Sequence, residues 1–146
     1  MKVVVDTHIV FSALMNAENG MGDVLLNFQG DLEFLAPELL KIELNRYSDK
    51  LRKASKLSNQ QLSESRLRIM EVITTVSEEL ISIASWTAAY ALTKNIDEND
   101  TPFVALAIEL NARLWTGDRK LARGLALGKT DLTISTSELL QILENN

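Results

Sequence analysis

The chain has no cysteine, a single histidine and no long uncharged apolar run, and each shortage excludes some chemistry. Without cysteine there can be no disulfide, no thiolate nucleophile and no cysteine metal site, a usage that fits a cytoplasmic protein. One histidine excludes a multi-histidine metal centre within one chain. Any cation must therefore be held mainly by oxygen, which suits Mg²⁺ or Mn²⁺ better than Zn²⁺. No stretch approaches the apolar length of a membrane helix, and the N-terminus opens on a strand-like segment rather than a signal peptide, so no membrane partner is expected. What is present is the balance of a soluble globular protein. The 146 residues are 46% hydrophobic and 24% charged, enough for one domain over 1–146 with one sizeable core.

The net charge of −5 argues weakly against a nucleic-acid partner, but its distribution argues the other way. Residues 41–68 hold eight basic side chains (Lys41, Arg46, Lys50, Arg52, Lys53, Lys56, Arg66, Arg68) against Glu43, Asp49 and Glu64. That stretch is +5 and leaves −10 on the rest. A basic arm on an acidic body suits a protein that grips a polyanion beside a carboxylate cluster. A solvated pair of Lys- and Arg-rich helices explains the segment equally well when it is taken alone.

Hydrophobic patterning gives alternating strands and helices. The β-branched run 2–6 predicts a buried strand ending at Asp6, and 8–16 a short helix broken by Gly20 and Gly22. Residues 23–29 predict a helix capped by Asp23, Gly30-Asp31 a turn, and 32–36 a second strand. Pro37 is placed to start a helix running to about Ala54, and Ser58 to cap one running to about Thr75. The alternation in 80–84 predicts a strand, followed by helices 86–95 and 101–111, the latter capped by Asn99 or Asp100. Strand 113–116, a tight turn at Gly117, helix 118–127 closed by Gly128, strand 132–135 and helix 137–144 complete the chain. Such an order predicts an α/β fold with a mostly parallel central sheet and helices on both faces, a three-layer α/β/α sandwich. Ligands in such sheets sit beyond the carboxyl ends of the strands.

Four acids fall where that rule directs attention. Asp6 and Asp118 each follow a strand, and they converge if the two strands are neighbours; each could also be a helix N-cap. Glu43 lies on the edge of the apolar stripe formed by Leu40, Leu44, Tyr47 and Leu51, where an unpaired carboxylate is costly. It needs either a basic partner or a cation. Asp100 opens the apolar helix on the side of Phe103, Val104 and Ala107, and Asp97 is a second candidate in the preceding loop. Four carboxylates share a small volume only if cations neutralise them, and hard oxygen ligands in that number suit one or two Mg²⁺ or Mn²⁺ ions. Such ions activate water and stabilise charge on a phosphodiester under attack.

The segments VVVDTHIVFSAL, ELLKIEL and DENDTPFVALAIELNARLWTGD, closed by DRKL, together resemble the PIN-domain family, in matching order over most of the chain. The third segment is the most specific. The resemblance implies Mg²⁺- or Mn²⁺-dependent ribonuclease activity on RNA, with Asp6, Glu43, Asp100 and Asp118 as the acids that bind metal and catalyse. It also implies a supporting Thr7 and a Thr116 hydroxyl beside the metal. Many bacterial relatives are toxins blocked by a small antitoxin, and many are homodimers. Two positions depart from the family's pattern. His8 stands where the family commonly has Asn, and a lone histidine is expected to be structural. Arg119 and Lys120 stand where some relatives carry a further acid, which points to fewer bound ions. Those two, like Arg46 and Lys50, are candidates for contacting a phosphate backbone.

Two other functions are open to such a chain. One is a non-catalytic nucleic-acid or protein binding module on the same fold. The other is an aspartyl phosphotransfer enzyme, but its second Asp two residues after the first is here His8. A phospho-receiver's late lysine is replaced by Thr116-Gly117-Asp118.

Overall fold

The computed structural model describes residues 1–15, 20–27, 32–128 and 131–145. Five strands form one all-parallel sheet: β1 (Lys2–Val5), β2 (Glu33–Pro37), β3 (Ile73–Val76), β4 (Arg113–Trp115) and β5 (Thr133–Ile134). Their order is β3-β2-β1-β4-β5. The chain winds outward from β1 to β3, then returns to the other side of β1 for β4 and β5. The direction of winding therefore reverses between β1 and β4. That reversal opens a crevice at the carboxyl ends of these two strands. Register pairs Val3 with Arg113, Val4 with Leu114 and Val5 with Trp115, so Asp6 and Thr116 emerge side by side.

Side-chain alternation along β1 divides the interior into two cores. Val3 and Val5 face one side with Phe34, Ala36, Trp115 and Ile134. Helices α1 (Thr7–Met15), α2 (Gly20–Asn27), α3 (Leu39–Arg46), α4 (Ser48–Ala54), α5 (Asn59–Val72) and α9 (Thr136–Glu144) cover that side. Val4, Leu35 and Leu114 face the other, under α6 (Ile83–Thr93), α7 (Thr101–Leu110) and α8 (Arg119–Leu127). This is the three-layer sandwich expected from the alternation of elements. Among the described residues no helix is long and apolar enough to cross a membrane.

Several local expectations are corrected. Pro37 ends β2 instead of starting a helix. The helix behind it lacks a cap of its own, and Glu78 supplies one from far along the chain, accepting the Leu39 N–H at 2.8 Å. The helix expected from Pro37 to about Ala54 is divided into α3 and α4 at Tyr47, whose backbone (φ −102°, ψ 14°) leaves the helical region. The helix from Ser58, closed by a full capping box with Gln61, stops at Val72. Ile73–Val76 then forms β3: helical and strand periods both fit this stretch, and its β-branched run decides for the strand. Conversely, 80–84 is no strand. The Ser82 hydroxyl accepts the Ser85 N–H and starts α6 at Ile83. Gly20 and Gly22 lie inside α2 and do not break a helix. The ends of helices 8–16 and 23–29, with the Gly30-Asp31 turn, lie outside the described residues. At the far end of α7, Asn111 adopts the left-handed conformation (φ 50°) that turns the chain into β4.

Candidate active site

A cleft of about 570 Å³ lies at the carboxyl ends of β1 and β2, beside the point where the winding reverses. Three segments wall it. From β1 and α1 come Asp6, Thr7, His8, Phe11, Ser12 and Met15, and from α3 and α4 come Leu39, Glu43, Arg46, Tyr47, Lys50, Leu51 and Ala54. The third segment runs from Asp97 to Asp100 and on to Pro102 and Phe103. Helical spacing explains the first two walls, since positions three or four apart share a face. The third is held by a buried hydrogen bond of 2.6 Å between the Thr93 and Thr101 hydroxyls, which ties the end of α6 to the start of α7. Within that loop the Asp97 carboxylate accepts the Asn99 N–H at 2.9 Å.

Asp6 is 4% exposed and sits at the bottom. Its backbone N–H donates to the Trp115 carbonyl at 3.1 Å, extending the β1–β4 pairing one step past the strand. The Thr116 hydroxyl donates to Asp6 Oδ2 at 2.7 Å and accepts the Asp118 N–H at 3.0 Å. One hydroxyl thus fixes both strand ends relative to each other. Asp118 does not line the cleft. Its Oδ1 caps α8, accepting the Leu121 N–H at 3.1 Å, which is the helix-cap role open to it from sequence. Its charge still reaches both Asp6 and Asp100. Gly117, between the two, has no positive φ and nothing near the place of a Cβ, so the turn does not depend on glycine.

The acids raise one another's proton affinity. Burial pushes the Asp6 carboxyl up; the Thr116 hydrogen bond and the His8 charge pull it back, and Asp118 adds to the rise. Glu43, half-buried, is raised by burial and by Asp6 against the pull of His8 and Arg46. The buried Thr7 hydroxyl has no hydrogen-bond partner within bonding distance; it offsets the Glu43 rise only weakly. Asp100 is pushed up to about 7, first by burial, then by Asp6, Asp97, Asp118 and Glu43. It makes no cap bond to α7, and its Oδ2 is buried without a hydrogen-bond partner.

This donor set fits a divalent cation: hard oxygens, mutual repulsion, and an orphaned buried carboxylate oxygen. Among the described residues no three acids are yet drawn together into a ready-made coordination shell. Asp6, Glu43 and Asp100 stand around the cleft.

Folding therefore binds a proton at Asp100 that the unfolded chain releases at lower pH. For a carboxyl raised in the folded state, stability is full below its unfolded value and is lost as pH rises through the folded one. The metal-free protein should melt at a lower temperature near pH 8 than near pH 5. Asp100→Asn should flatten that slope and be more stable than wild type near pH 8 by roughly 1–2 kcal/mol, discounted for partial exposure. Thermal melts in EDTA across this range check it. A variant with the wild-type slope would show that Asp100 does not carry the effect.

Of the residues expected from sequence, Asp6, Thr7, Glu43, Asp97, Asp100, Arg46 and Lys50 line this one cleft. Thr116 lies beneath it, bonded to Asp6. Arg119 and Lys120 are exposed in the first turn of α8 and form no part of the cleft wall. The sequence reading missed two things. His8, expected to be structural, is exposed on the wall with its charge felt by Asp6 and Glu43. Phe11, Ser12, Tyr47 and Asn99 also line the cleft, and the one-turn spacing from Thr7, His8 and Glu43 was the available signal for the first three.

Comparison with known proteins agrees with the resemblance seen in sequence. The family model described as PIN domain matches residues 4–139. No curated protein matches the chain significantly. Among solved structures, the crystal structure of VapBC2 from Rickettsia felis bound to a DNA fragment from their promoter is similar, with a TM-score of 0.68 at 16% sequence identity. The alignment covers 92% of this chain and 97% of that one, a likeness of fold.

Proposed function

From the premise that this chain belongs to the PIN-domain family, we propose that it is an Mg²⁺- or Mn²⁺-dependent endoribonuclease. In this reading it hydrolyses RNA phosphodiesters as the toxin of a toxin–antitoxin pair. The observation that carries the reading is the buried, unpartnered Asp100 carboxylate oxygen in a cleft shared with Asp6 and Glu43. Asp6, Glu43 and Asp100 would hold the cation, with Asp118 contributing through its charge and the oxygen outside its helix cap. When bound, a hard divalent cation supplies an activated water and charge stabilisation at phosphorus.

The chain's own residues do the rest. Thr116 fixes the Asp6 carboxylate in orientation. Asp100, with a pKa of about 7, exchanges its proton in the neutral range, so cation binding competes with protonation there. Arg46 and Lys50 form no ion pair among the described residues and are available to a phosphate backbone. Arg119 and Lys120 lie on the surface next to Asp118, outside the cleft wall. A small antitoxin and a second copy of the chain are the expected protein partners, in the cytoplasm.

Purified protein incubated with defined RNAs and Mg²⁺ or Mn²⁺ should cleave, and EDTA should stop it. Intact RNA under all conditions would favour a non-catalytic binding module. Thr116→Val tests the positioning role. Losing the hydroxyl frees Asp6 Oδ2 and orphans the Asp118 N–H, and such losses behind a metal ligand cost about 10–100-fold in metal affinity or activity. Thr116→Ser should restore both. Equal Mn²⁺ affinity in Thr116→Val and wild type would contradict the role.

A further inference from the structure

We infer that Tyr47, backed by Phe11, is a stacking wall for one unpaired nucleobase of the substrate, about one helical turn from Glu43. The inference rests on the nuclease reading above and deepens it.

Along α1 and along the α3–α4 run the lining passes from Asp6 and Glu43 to Phe11, Met15, Tyr47, Leu51 and Ala54. Tyr47 is 41% exposed, although it is the break between α3 and α4 and could have been turned into the core. Helical hydrogen bonding continues through it, from its N–H to the Glu43 carbonyl at 3.0 Å and from the Leu51 N–H to its own carbonyl at 2.9 Å. Glu43, four residues earlier, accepts the Tyr47 N–H, and both residues line the cleft. Phe11 meets it at 5.9 Å between ring centroids with planes at 72°. In such a T-shaped pair Phe11 covers at most one face of the Tyr47 ring. The residue as a whole stays exposed, which leaves it accessible to a ligand.

Charge selects the kind of ligand. Arg46 and Lys50 flank Tyr47 on the same helical run, and neither is ion-paired among the described residues. A ligand that touches Tyr47 thus meets two cations and then the acid cluster. A polyanion drawn by those cations is repelled by the acids until a metal is bound. An attraction independent of charge must hold the strand through that step, and base stacking on an aromatic ring provides one.

The test measures binding, not cleavage, in EDTA, with two fluorescein-labelled oligoribonucleotides that differ by one abasic position. Tyr47→Ala and Tyr47→Leu should bind the intact RNA about 5- to 100-fold more weakly, and Tyr47→Phe should stay within about twofold of wild type. On the abasic RNA the wild-type advantage should vanish. Wild-type affinity in Tyr47→Leu overturns the inference, because aliphatic bulk would then suffice, as for an apolar segment of a protein partner. Equal weakening of intact and abasic RNA by Tyr47→Ala also overturns it, since the ring would then act through the fold. Because no cleavage is needed, the two readings fail separately. Base-dependent binding without metal-dependent cleavage would sink the nuclease alone. Metal-dependent cleavage with binding indifferent to Tyr47 would sink the stacking wall alone.

Discussion

Asp6→Asn should lower RNA cleavage by at least about a thousandfold while leaving the protein folded, because a ligand that anchors the cation contributes several kcal/mol at the transition state. The carboxylate is buried at the bottom of the cleft and is the charge felt by both Glu43 and Asp100. Asparagine keeps the shape and can still accept the Thr116 hydrogen bond, so the site's frame survives. Removing the charge also relieves repulsion on the other acids. The metal-free variant should therefore melt no lower than wild type. Single-turnover cleavage and a thermal melt on the same preparation check both halves. Retained metal-dependent activity would move the chemistry away from this cleft.

The second large effect is on stability. Trp115 is fully buried on β4, directly before Thr116, tilted against Phe34 with ring centroids 6.0 Å apart. Its indole N–H donates to the Thr136 hydroxyl at 2.9 Å, joining the sheet to the start of α9. Trp115→Ala should cost about 3–5 kcal/mol, the range for emptying so large a buried site. Against a typical stability of about 5–15 kcal/mol, much of the protein could be lost. Trp115→Phe should cost less, mainly the hydrogen bond and part of the volume. Urea midpoints at constant slope check this ranking. A near-neutral Trp115→Ala would mean that the β4 floor of the site does not depend on this packing.

The framework of the fold was legible because strong periodic signals agreed with one another. The run Lys2–Val5, the helix start capped by Ser58 and the apolar α7 appear where their patterns predict them. The errors lie where two local signals competed. Ile73–Val76 fits both helical and strand periods, and only the pairing with β2 decides it. Alternation in 80–84 concealed the Ser82 cap. Pro37 fitted a helix start as well as a strand end, and the choice depends on Val76, its partner in β3.

The candidate site was legible in its acids for a simple reason. Strand ends and helical spacing are local properties; the placement of β1 beside β4 is not, since alternation of elements leaves strand order open, and the structure supplies it. The cap made by Asp118 was open to a local reading, but the reach of its charge to Asp100 is tertiary. His8 reaches the cleft because α1 begins immediately after Asp6, a local consequence of where the helix starts. Phe11 meets Tyr47 only because α1 packs across α3 and α4.

The central claim is that these carboxylates form a site for a hard divalent cation. Isothermal titration of Mn²⁺ into the wild-type protein and Asp6→Asn, in buffers of different ionisation heat near pH 7, tests it most directly. The account predicts binding to wild type at millimolar metal or below, with proton release from the acid cluster, and little or no binding to Asp6→Asn. No binding of Mn²⁺ to wild type at millimolar concentration, or equal binding to both proteins, would contradict it.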